Sequence, residues 1–149
     1  MSDPKHLRAL ALCVFRHRER ILVLDLYDPT TGKHFHRPAG GGIEFGEPSE
    51  DALRREMREE LGVEIEAPVL LGVLENIFFY NGQPGHEIVF VYDAQFVDQE
   101  LYEVERFTVH EDTGETFHAV WLELSASGPQ TPPVYPEGLI ELVRKESKK

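Results

Sequence analysis

The stretch that decides the fold of this chain is Gly40–Val63, which reads GGGIEFGEPSEDALRREMREELGV. Its second half has the apolar period of a helix, with Leu53, Met57 and Leu61 on one side. Three glutamates at spacings i, i+3 and i+4 flank this apolar stripe, and they are Glu56, Glu59 and Glu60. Neighbouring like charges destabilise a helix by roughly 0.2–0.5 kcal/mol per pair, and partial burial adds to that cost. Because a bound divalent cation would remove the repulsion, the pattern indicates a metal site.

The predicted helix has clear signals at both ends. We expect it to begin at Pro48 or Ser49, since proline suits the first turn of a helix. It should end at Leu61, with Gly62 as the stop signal. On its N-terminal side we expect a glycine-rich turn, and the short segment His34–Arg37 is predicted to be a brief strand leading into that turn.

The rest of the chain predicts strands on both sides of this helix and a second helix at the end. Two short apolar runs separated by a charged turn, Leu7–Phe15 and Ile21–Tyr27, are expected to form a hairpin. Three further segments have strand character, and they are Val69–Tyr80, His86–Val97 and Phe117–Leu124. The first two are joined by NGQPG, a strong turn signal, and Glu137–Lys148 is a predicted amphipathic helix. The element order predicts an α/β fold, with a mixed β-sheet covered by helices, in a single domain of residues 1–149.

Composition and charge exclude several classes of function. With 149 residues the chain can bury one sizeable core, and no apolar run is long enough to cross a bilayer, so we expect no membrane partner. The net charge of −12 argues against a nucleic-acid partner, because such binding requires clustered lysine and arginine. A single cysteine, Cys13, excludes an internal disulfide, and a cytoplasmic location is expected from it.

A longer spacing pattern surrounds the glutamates. Starting at Gly41, the chain has five residues, then Glu47, then seven residues, and then REMREELGV, which is Arg55–Val63. At every defined position this resembles the signature box of the Nudix hydrolase family. The resemblance implies an α/β/α sandwich with a mixed sheet. It also implies hydrolysis of the pyrophosphate bond in a nucleoside diphosphate linked to another group, with Mg²⁺ or Mn²⁺ as cofactor and a small nucleotide as the substrate.

The residues suit that chemistry independently of the resemblance. Small hard cations prefer carboxylate and carbonyl oxygens as ligands. Such cations neutralise the charge that develops on phosphate oxygens and lower the pKa of bound water. Phosphoryl transfer depends mainly on positioning and on this charge stabilisation. Glycine lets a backbone carbonyl approach a metal closely, because it has no Cβ.

The resemblance also implies roles for individual residues. Metal ligands are expected from the box, and they are Glu56, Glu59, Glu60 and the carbonyl of Gly40. Arg55 should orient a box glutamate, and Glu47 should either bind metal or hold the loop. In some relatives the general base is a helix glutamate, here Glu56 or Glu59. In others it comes from the loop before the last strand, where Glu115 is the first choice and the alternatives are Glu111, Glu103 and Glu105.

Substrate contacts and assembly are expected from residues outside the box. Arg37 is a local cation that a phosphate site in an acidic protein requires, and His36 and Tyr80 are further candidates for substrate contact. Aromatic residues in strands more often belong to the core, so both interpretations of Tyr80 stay open. The apolar run Val69–Tyr80 predicts either core or the interface of a homodimer. Two other functions remain possible: a Nudix-fold module that senses a nucleotide without cleaving it, and an isomerase that pairs Cys13 with a glutamate.

Overall fold

The computed structural model describes residues 6–111, 114–125 and 131–147, and within them the chain forms nine strands and two α-helices. The helices are α1 (Ser49–Leu61) and α2 (Leu139–Ser147), and a short 3₁₀ helix spans Gln99–Glu103. The strands are β1 (Arg8–Val14), β2 (Arg16–His17), β3 (Arg20–Asp28), β4 (Lys33–Arg37), β5 (Ala39–Gly42), β6 (Ile65–Tyr80), β7 (Gln83–Phe96), β8 (Arg106–His110) and β9 (Thr116–Glu123).

The strands form two sheets. The first has the order β5-β1-β7-β6, and it is mixed because β1 and β7 are parallel while the other pairs are antiparallel. The second has the order β2-β3-β9-β8, with β4 also paired to β3, and all of its pairs are antiparallel. The predicted α/β class is therefore confirmed, with its mixed sheet and a second, antiparallel one.

The alternation of side chains explains why a helix covers each face. Along β1, Ala11 and Cys13 belong to the buried cluster that contains the apolar face of α1. Leu12 and Val14 belong to a second buried cluster, which contains Leu139 of α2. Successive residues of a strand point to opposite faces, so β1 is buried from both sides. The result is the α/β/α layering that the box implied.

The hairpin predicted from Leu7–Phe15 and Ile21–Tyr27 is wrong. β1 lies in the first sheet between β5 and β7, whereas β3 lies in the second sheet between β2 and β9. The chain crosses between the sheets after Val14, and the tight turn joins only the two-residue strand β2 to β3. Apolar periodicity identifies strands, but a strand buried on both faces carries no local signal of which neighbour it pairs with.

The hairpin of β6 and β7 is confirmed, and its tip is anchored to the second sheet. Asn81 and Gly82 form its turn, with φ of 52° and 75°. Buried Asp28 accepts the backbone N–H of Asn81 at 3.2 Å and that of Thr30 at 2.9 Å. The connection between β3 and β4 is thereby fixed against the hairpin tip.

Two expectations about surfaces bear on partners. β6 is an edge strand of the first sheet, and Val73, Ile77 and Phe79 on it are 49%, 71% and 76% exposed. The predicted homodimer interface would use this surface, and the homodimer stays a prediction.

Neither helix in the described part of the chain is long and apolar enough to cross a membrane. Residues 126–130 lie outside the described part of the chain, as does Lys148, the predicted end of the last helix.

Candidate active site

The box helix begins and ends where the sequence predicted. Pro48 is the N-cap residue, with extended backbone, and Gly62 ends the helix in the left-handed conformation with φ of 69°. The N–H groups of Gly62 and Val63 donate to the carbonyls of Arg58 and Met57, so the last turn is capped. One face of the helix is buried, and it includes a charged residue: Ala52, Leu53, Met57 and Glu60.

The expected glycine turn is instead a strand. Gly40 and Gly41 pair with Leu12 and Ala11 of β1. At Gly40, with φ of 150°, a Cβ would lie 2.0 Å from the carbonyl oxygen of Ala11, so no other residue fits there. The chain turns a few residues later, where the N–H of Glu47 donates to the carbonyl of Glu44 at 2.9 Å. The glycines are therefore needed for close packing as well as for conformational freedom.

Gly41 brings α1 against the edge of the first sheet. A Cβ at this position would lie 2.6 Å from the carboxylate of Glu56. Because Gly41 has no side chain, the carboxylate of Glu56 can occupy this space. The side chain of Glu56 is only 13% exposed there. The first box glycine therefore positions Glu56 beside β5.

Arg55 connects the loop and the helix. Its guanidinium donates to both carboxylate oxygens of Glu47, at 2.8 and 2.9 Å, and to the carbonyl of Gly42 at 2.9 Å. Nη1 also donates to Glu56 at 3.0 Å and to Glu59 at 3.3 Å. Paired hydrogen bonds to one carboxylate fix the geometry of both partners. Arg55 therefore links three carboxylates, as the resemblance implied for one of them.

These contacts hold Glu47 in its ionised form. The hydrogen bonds from Arg55, with help from the N–H of Glu44, lower the pKa of Glu47 to about 2. The same pairing raises the pKa of Arg55 above its ordinary value. The carboxylate oxygens of Glu47 thus already accept hydrogen bonds from the loop and from Arg55, which fits a role in holding the loop.

Glu60 has the opposite environment. It is 4% exposed, and its Oε2 has no hydrogen-bond partner within the described part of the chain. Burial raises its pKa, and the charges of Glu111 and Glu56 raise it further, while the positive charge of Arg37 opposes them. A buried carboxylate with an unpaired oxygen is costly unless another group satisfies it. The helix therefore places this unpaired oxygen of Glu60 among the charged groups of Glu56, Glu111 and Arg37.

The loop candidates for the general base lie at different distances from this cluster. β8 packs against α1, and Glu111 directly follows β8, which is why its charge acts on Glu60. Glu115 is exposed at the other end of the same turn, where its carbonyl accepts the N–H of Glu111 at 3.0 Å. Glu103 instead lies near Arg18 and His17, at 3.4 and 3.6 Å. The sequence places Glu115 in the loop before the last strand, but it carries no signal for the packing of β8 on α1, which favours Glu111.

The substrate candidates do not all lie together. Arg37 is a register partner of Leu24, which faces the α1 core, and its Nε is buried without a partner in the described residues. His36 is the residue before Arg37 on β4, so it points to the opposite face. There it is 8% exposed and lies 3.7 Å from Asp25, and burial lowers its pKa.

Tyr80 lies at the tip of the β6–β7 hairpin. Its ring packs edge-on against Phe35 at 5.7 Å, and its hydroxyl donates to the carbonyl of Tyr27 at 3.5 Å. These contacts are with the second sheet, and Tyr80 is 39% exposed. Cys13 is fully buried and its pKa is raised by that burial, with a further contribution from Asp93. This environment disfavours the isomerase hypothesis, which requires an accessible thiolate.

The donor set fits a divalent cation. Carboxylates such as those of Glu56, Glu59 and Glu60 are hard oxygen ligands, and a cation would satisfy the Oε2 of Glu60, which has no hydrogen-bond partner in the described part of the chain. Among the described residues no three acidic, histidine or cysteine side chains already converge on one point. Glu56 already lies within hydrogen-bond reach of Glu60 as well as of Arg55, whereas Glu59 is turned towards Arg55 and would have to rotate to share an ion with Glu60.

Comparison with known proteins decides the family. The model of the NUDIX domain matches residues 4–139. The chain belongs to the Nudix family. It is a Nudix hydrolase, and such enzymes generally use a divalent metal ion.

Solved structures agree with this assignment. A MutT NUDIX hydrolase from Burkholderia pseudomallei is 26% identical, with 93% of this chain and 99% of that chain covered and a TM-score of 0.67. A NUDIX hydrolase from Nitrosomonas europaea is 15% identical, with 96% and 90% covered and a TM-score of 0.65. An ADP-ribose pyrophosphatase from Streptococcus suis is 14% identical, with 95% and 92% covered and a TM-score of 0.62. The last two likenesses concern the fold alone.

Proposed function

We propose that this Nudix hydrolase cleaves the pyrophosphate bond of a nucleoside diphosphate linked to another group, using Mg²⁺ or Mn²⁺. The observation that carries the proposal is Glu60, a buried carboxylate with an unpaired oxygen beside Glu56 and the cation Arg37. Such a carboxylate destabilises the protein unless a positive ligand pairs with it. A divalent metal ion bound here would supply that charge.

The box glutamates are the proposed metal ligands. Glu56, Glu59 and Glu60 would hold the ion, with the carbonyl of Gly40 as a further ligand. When bound, the ion neutralises charge on the phosphate oxygens and makes a bound water more acidic. Glu60 would remain in place because its helix face is buried, whereas the exposed side chain of Glu59 would rotate towards the ion.

Arg55 is the proposed positioning residue. Its bonds to Glu47 and to the carbonyl of Gly42 fix the guanidinium between the loop and α1. From there Nη1 positions Glu56 beside Glu60, and Glu59 would give up its bond to Nη1 on turning towards the ion. Glu47 holds Arg55, so we assign Glu47 to the loop and not to the metal.

Glu111 is the favoured loop candidate for the general base, ahead of Glu115. Its charge acts directly on Glu60, which supports a position next to the metal ligands. A base must lie within hydrogen-bond reach of the attacking water, directly or through one further water. Glu111 meets that requirement better than exposed Glu115, and a helix glutamate, Glu56 or Glu59, is the remaining alternative.

Arg37 is the proposed phosphate-binding residue. In a chain of net charge −12, an anionic substrate needs local cations. The positive charge of Arg37 acts on Glu60, which supports a position beside the carboxylate cluster, and its buried Nε has no hydrogen-bond partner among the described residues. His36 and Tyr80 are weaker candidates, because His36 lies on the other face of β4 and Tyr80 contacts the second sheet.

The test is a screen of nucleoside diphosphate derivatives with Mg²⁺ and Mn²⁺, followed by substitutions. Glu60→Gln and Glu59→Gln should each lower kcat/KM by about 10²–10⁴-fold, the scale expected when a charge-stabilising group is lost. Glu64→Gln is the matched control, because Glu64 is exposed and paired with Arg58 outside the cluster. Activity equal to wild type in both box variants would reject the assignment. Tight nucleotide binding without turnover under either metal would instead identify a sensing module.

A further inference from the structure

Two histidines and an aspartate meet on β3 and β4, on the face of the second sheet that α1 does not cover. His34 and His36 are two residues apart on β4, so both side chains project from one face of the strand. Asp25 is the register partner of His36 on β3, so it lies on that face too. Val23, two residues before Asp25, belongs to the buried cluster that contains Leu139 of α2. The three side chains therefore lie on the opposite side of this sheet from the box glutamates.

The distances between these side chains are close to those between ligands of one metal ion. Oδ1 of Asp25 is 3.5 Å from Nδ1 of His34 and 3.7 Å from Nε2 of His36. Both distances are longer than a hydrogen bond from a ring N–H, which is about 2.7–3.2 Å. Two ligands of a tetrahedral Zn²⁺ are about 3.4 Å apart, because each lies about 2.0–2.2 Å from the ion. One carboxylate oxygen is thus placed near two imidazole nitrogens at roughly the separation that a shared ion requires.

The backbone of His36 is fixed, whereas its ring has a nitrogen without a hydrogen bond. The N–H of His36 donates to the carbonyl of Pro133, and its carbonyl accepts from the N–H of Tyr135, both at 2.8 Å. The side chain is only 10% exposed, and Nδ1 is buried without a hydrogen-bond partner among the described residues. A buried polar atom of this kind requires an explanation, and an absent ion is one of the few available. His36 is therefore a rigidly placed imidazole that few other contacts restrain.

A fourth ligand is available on the next strand. His118 of β9 is the other register partner of Asp25, so it lies on the same face, across β3 from His36. His118 is exposed, as is His34, whose side chain is 59% exposed. Within the described part of the chain, no three such side chains already surround one point, so the ring of His34 must turn towards His36. Exposed side chains change rotamer within nanoseconds, and the strands that carry the ligands need not move.

We propose that Asp25, His34 and His36, with His118 as the fourth ligand, bind a divalent transition metal ion of the Zn²⁺ class. Imidazole nitrogen suits Zn²⁺, Cu²⁺ and Ni²⁺, whereas Mg²⁺ takes oxygen ligands and keeps several of its waters. The chain then has two metal sites of different chemistry, an oxygen site on α1 and a nitrogen-rich site on the second sheet. An ion in the second site joins β3, β4 and β9, and it stabilises the strand that carries Arg37. The proposal does not depend on the proposed hydrolysis.

The test is calorimetric titration of the protein with Zn²⁺ in the presence of excess Mg²⁺. Wild type should bind one Zn²⁺ that Mg²⁺ does not displace, and Glu60→Gln should bind it with the same affinity. His34→Gln should weaken Zn²⁺ binding by more than about 10-fold, since even the loss of an outer partner of a metal ligand costs that much. Because His34 is exposed, this variant should fold like wild type.

His86→Gln is the matched control, because His86 is also an exposed strand histidine beside a carboxylate, Glu75 at 2.8 Å, but belongs to the first sheet. It should bind Zn²⁺ like wild type. Zn²⁺ should also raise the melting temperature of wild type and of His86→Gln, and leave that of His34→Gln unchanged. Loss of binding in Glu60→Gln would place the ion at the box, and equal affinity in His34→Gln would mean an adventitious ion only. Either result, or no binding of Zn²⁺ by wild type, would overturn the proposal.

Discussion

Two glutamates of the same box have opposite environments. Glu47 accepts two hydrogen bonds from Arg55 and one from a backbone N–H, and its pKa is lowered to about 2. Glu60 is buried with an unpaired oxygen, and its pKa is raised. Arg55 and Glu47 satisfy each other and form the supporting half of the box, whereas Glu60, the proposed metal ligand, forms its reactive half. The box spacing alone does not distinguish the two.

The supporting half should show the largest effect when its arginine is removed. Arg55→Ala leaves Glu47 without its partner and releases Glu56 and Glu59, so we expect kcat/KM to fall by about 10²–10³-fold. The free energy of unfolding should fall by about 2–3 kcal/mol, as for a partly buried charge network that loses one member. Urea denaturation and steady-state kinetics measure both quantities.

Arg58→Ala is the control for that change. Arg58 pairs with Glu64 in an exposed position, at 2.8 Å, and such surface pairs contribute about 0–1 kcal/mol. If Arg55→Ala costs no more stability than Arg58→Ala, the supporting half is an ordinary surface network.

The contact between β5 and α1 can be tested at two adjacent glycines. A Cβ on Gly41 meets the movable carboxylate of Glu56, so Gly41→Ala should fold but lose about 10–10²-fold in kcat/KM. A Cβ on Gly40 meets backbone atoms of β1, so Gly40→Ala should instead lower the melting temperature or fail to fold. Thermal unfolding and kinetics of both variants separate the two cases. Full activity in Gly41→Ala would mean that the position of Glu56 is not critical.

The two glutamates also predict opposite dependences of stability on pH in metal-free protein. Glu60 binds its proton more tightly folded than unfolded, so its effect on stability becomes less favourable as pH rises above about 4.3, the ordinary pKa of glutamate. Glu47 binds its proton less tightly folded, so it stabilises the protein above that pH and loses this effect as pH falls towards 2. In EDTA at pH 8, Glu60→Gln should therefore raise the melting temperature and Glu47→Gln should lower it.

The differences in melting temperature between each variant and wild type should become smaller at acid pH. Near pH 4 the melting temperature of Glu60→Gln should approach that of wild type, and that of Glu47→Gln should approach it nearer pH 2. For a chain of this length about 1 kcal/mol corresponds to roughly 2–4 °C, so the shifts are measurable by calorimetry. Shifts of the same sign in both variants at pH 8 would contradict the division of the box.

The sequence was sufficient for features that depend on near neighbours. Pro48, Gly62 and the apolar period specify α1, and the Asn81–Gly82 turn specifies the hairpin of β6 and β7. The box spacing also identified the residues around Arg55. In each case the decisive contacts lie within the motif or one turn away from it, where residue type constrains geometry.

Features that depend on distant pairing could not be predicted. The assignment of β1 and β3 to different sheets follows from packing against both helices, which leaves no local pattern. The effect of the Glu111 charge on the pKa of Glu60 depends on β8 packing against α1. These residues are far apart in sequence, so only the folded chain brings them together.

The measurement that tests the central claim most directly is the Mg²⁺ dependence of thermal unfolding. A ligand that binds only the folded state stabilises it by about 2.7 kcal/mol at a hundred times its dissociation constant. We predict that Mg²⁺ raises the melting temperature of wild type and of Glu64→Gln by the same amount, and leaves that of Glu60→Gln unchanged. An equal rise in Glu60→Gln would contradict the assignment of the reactive half as the metal site.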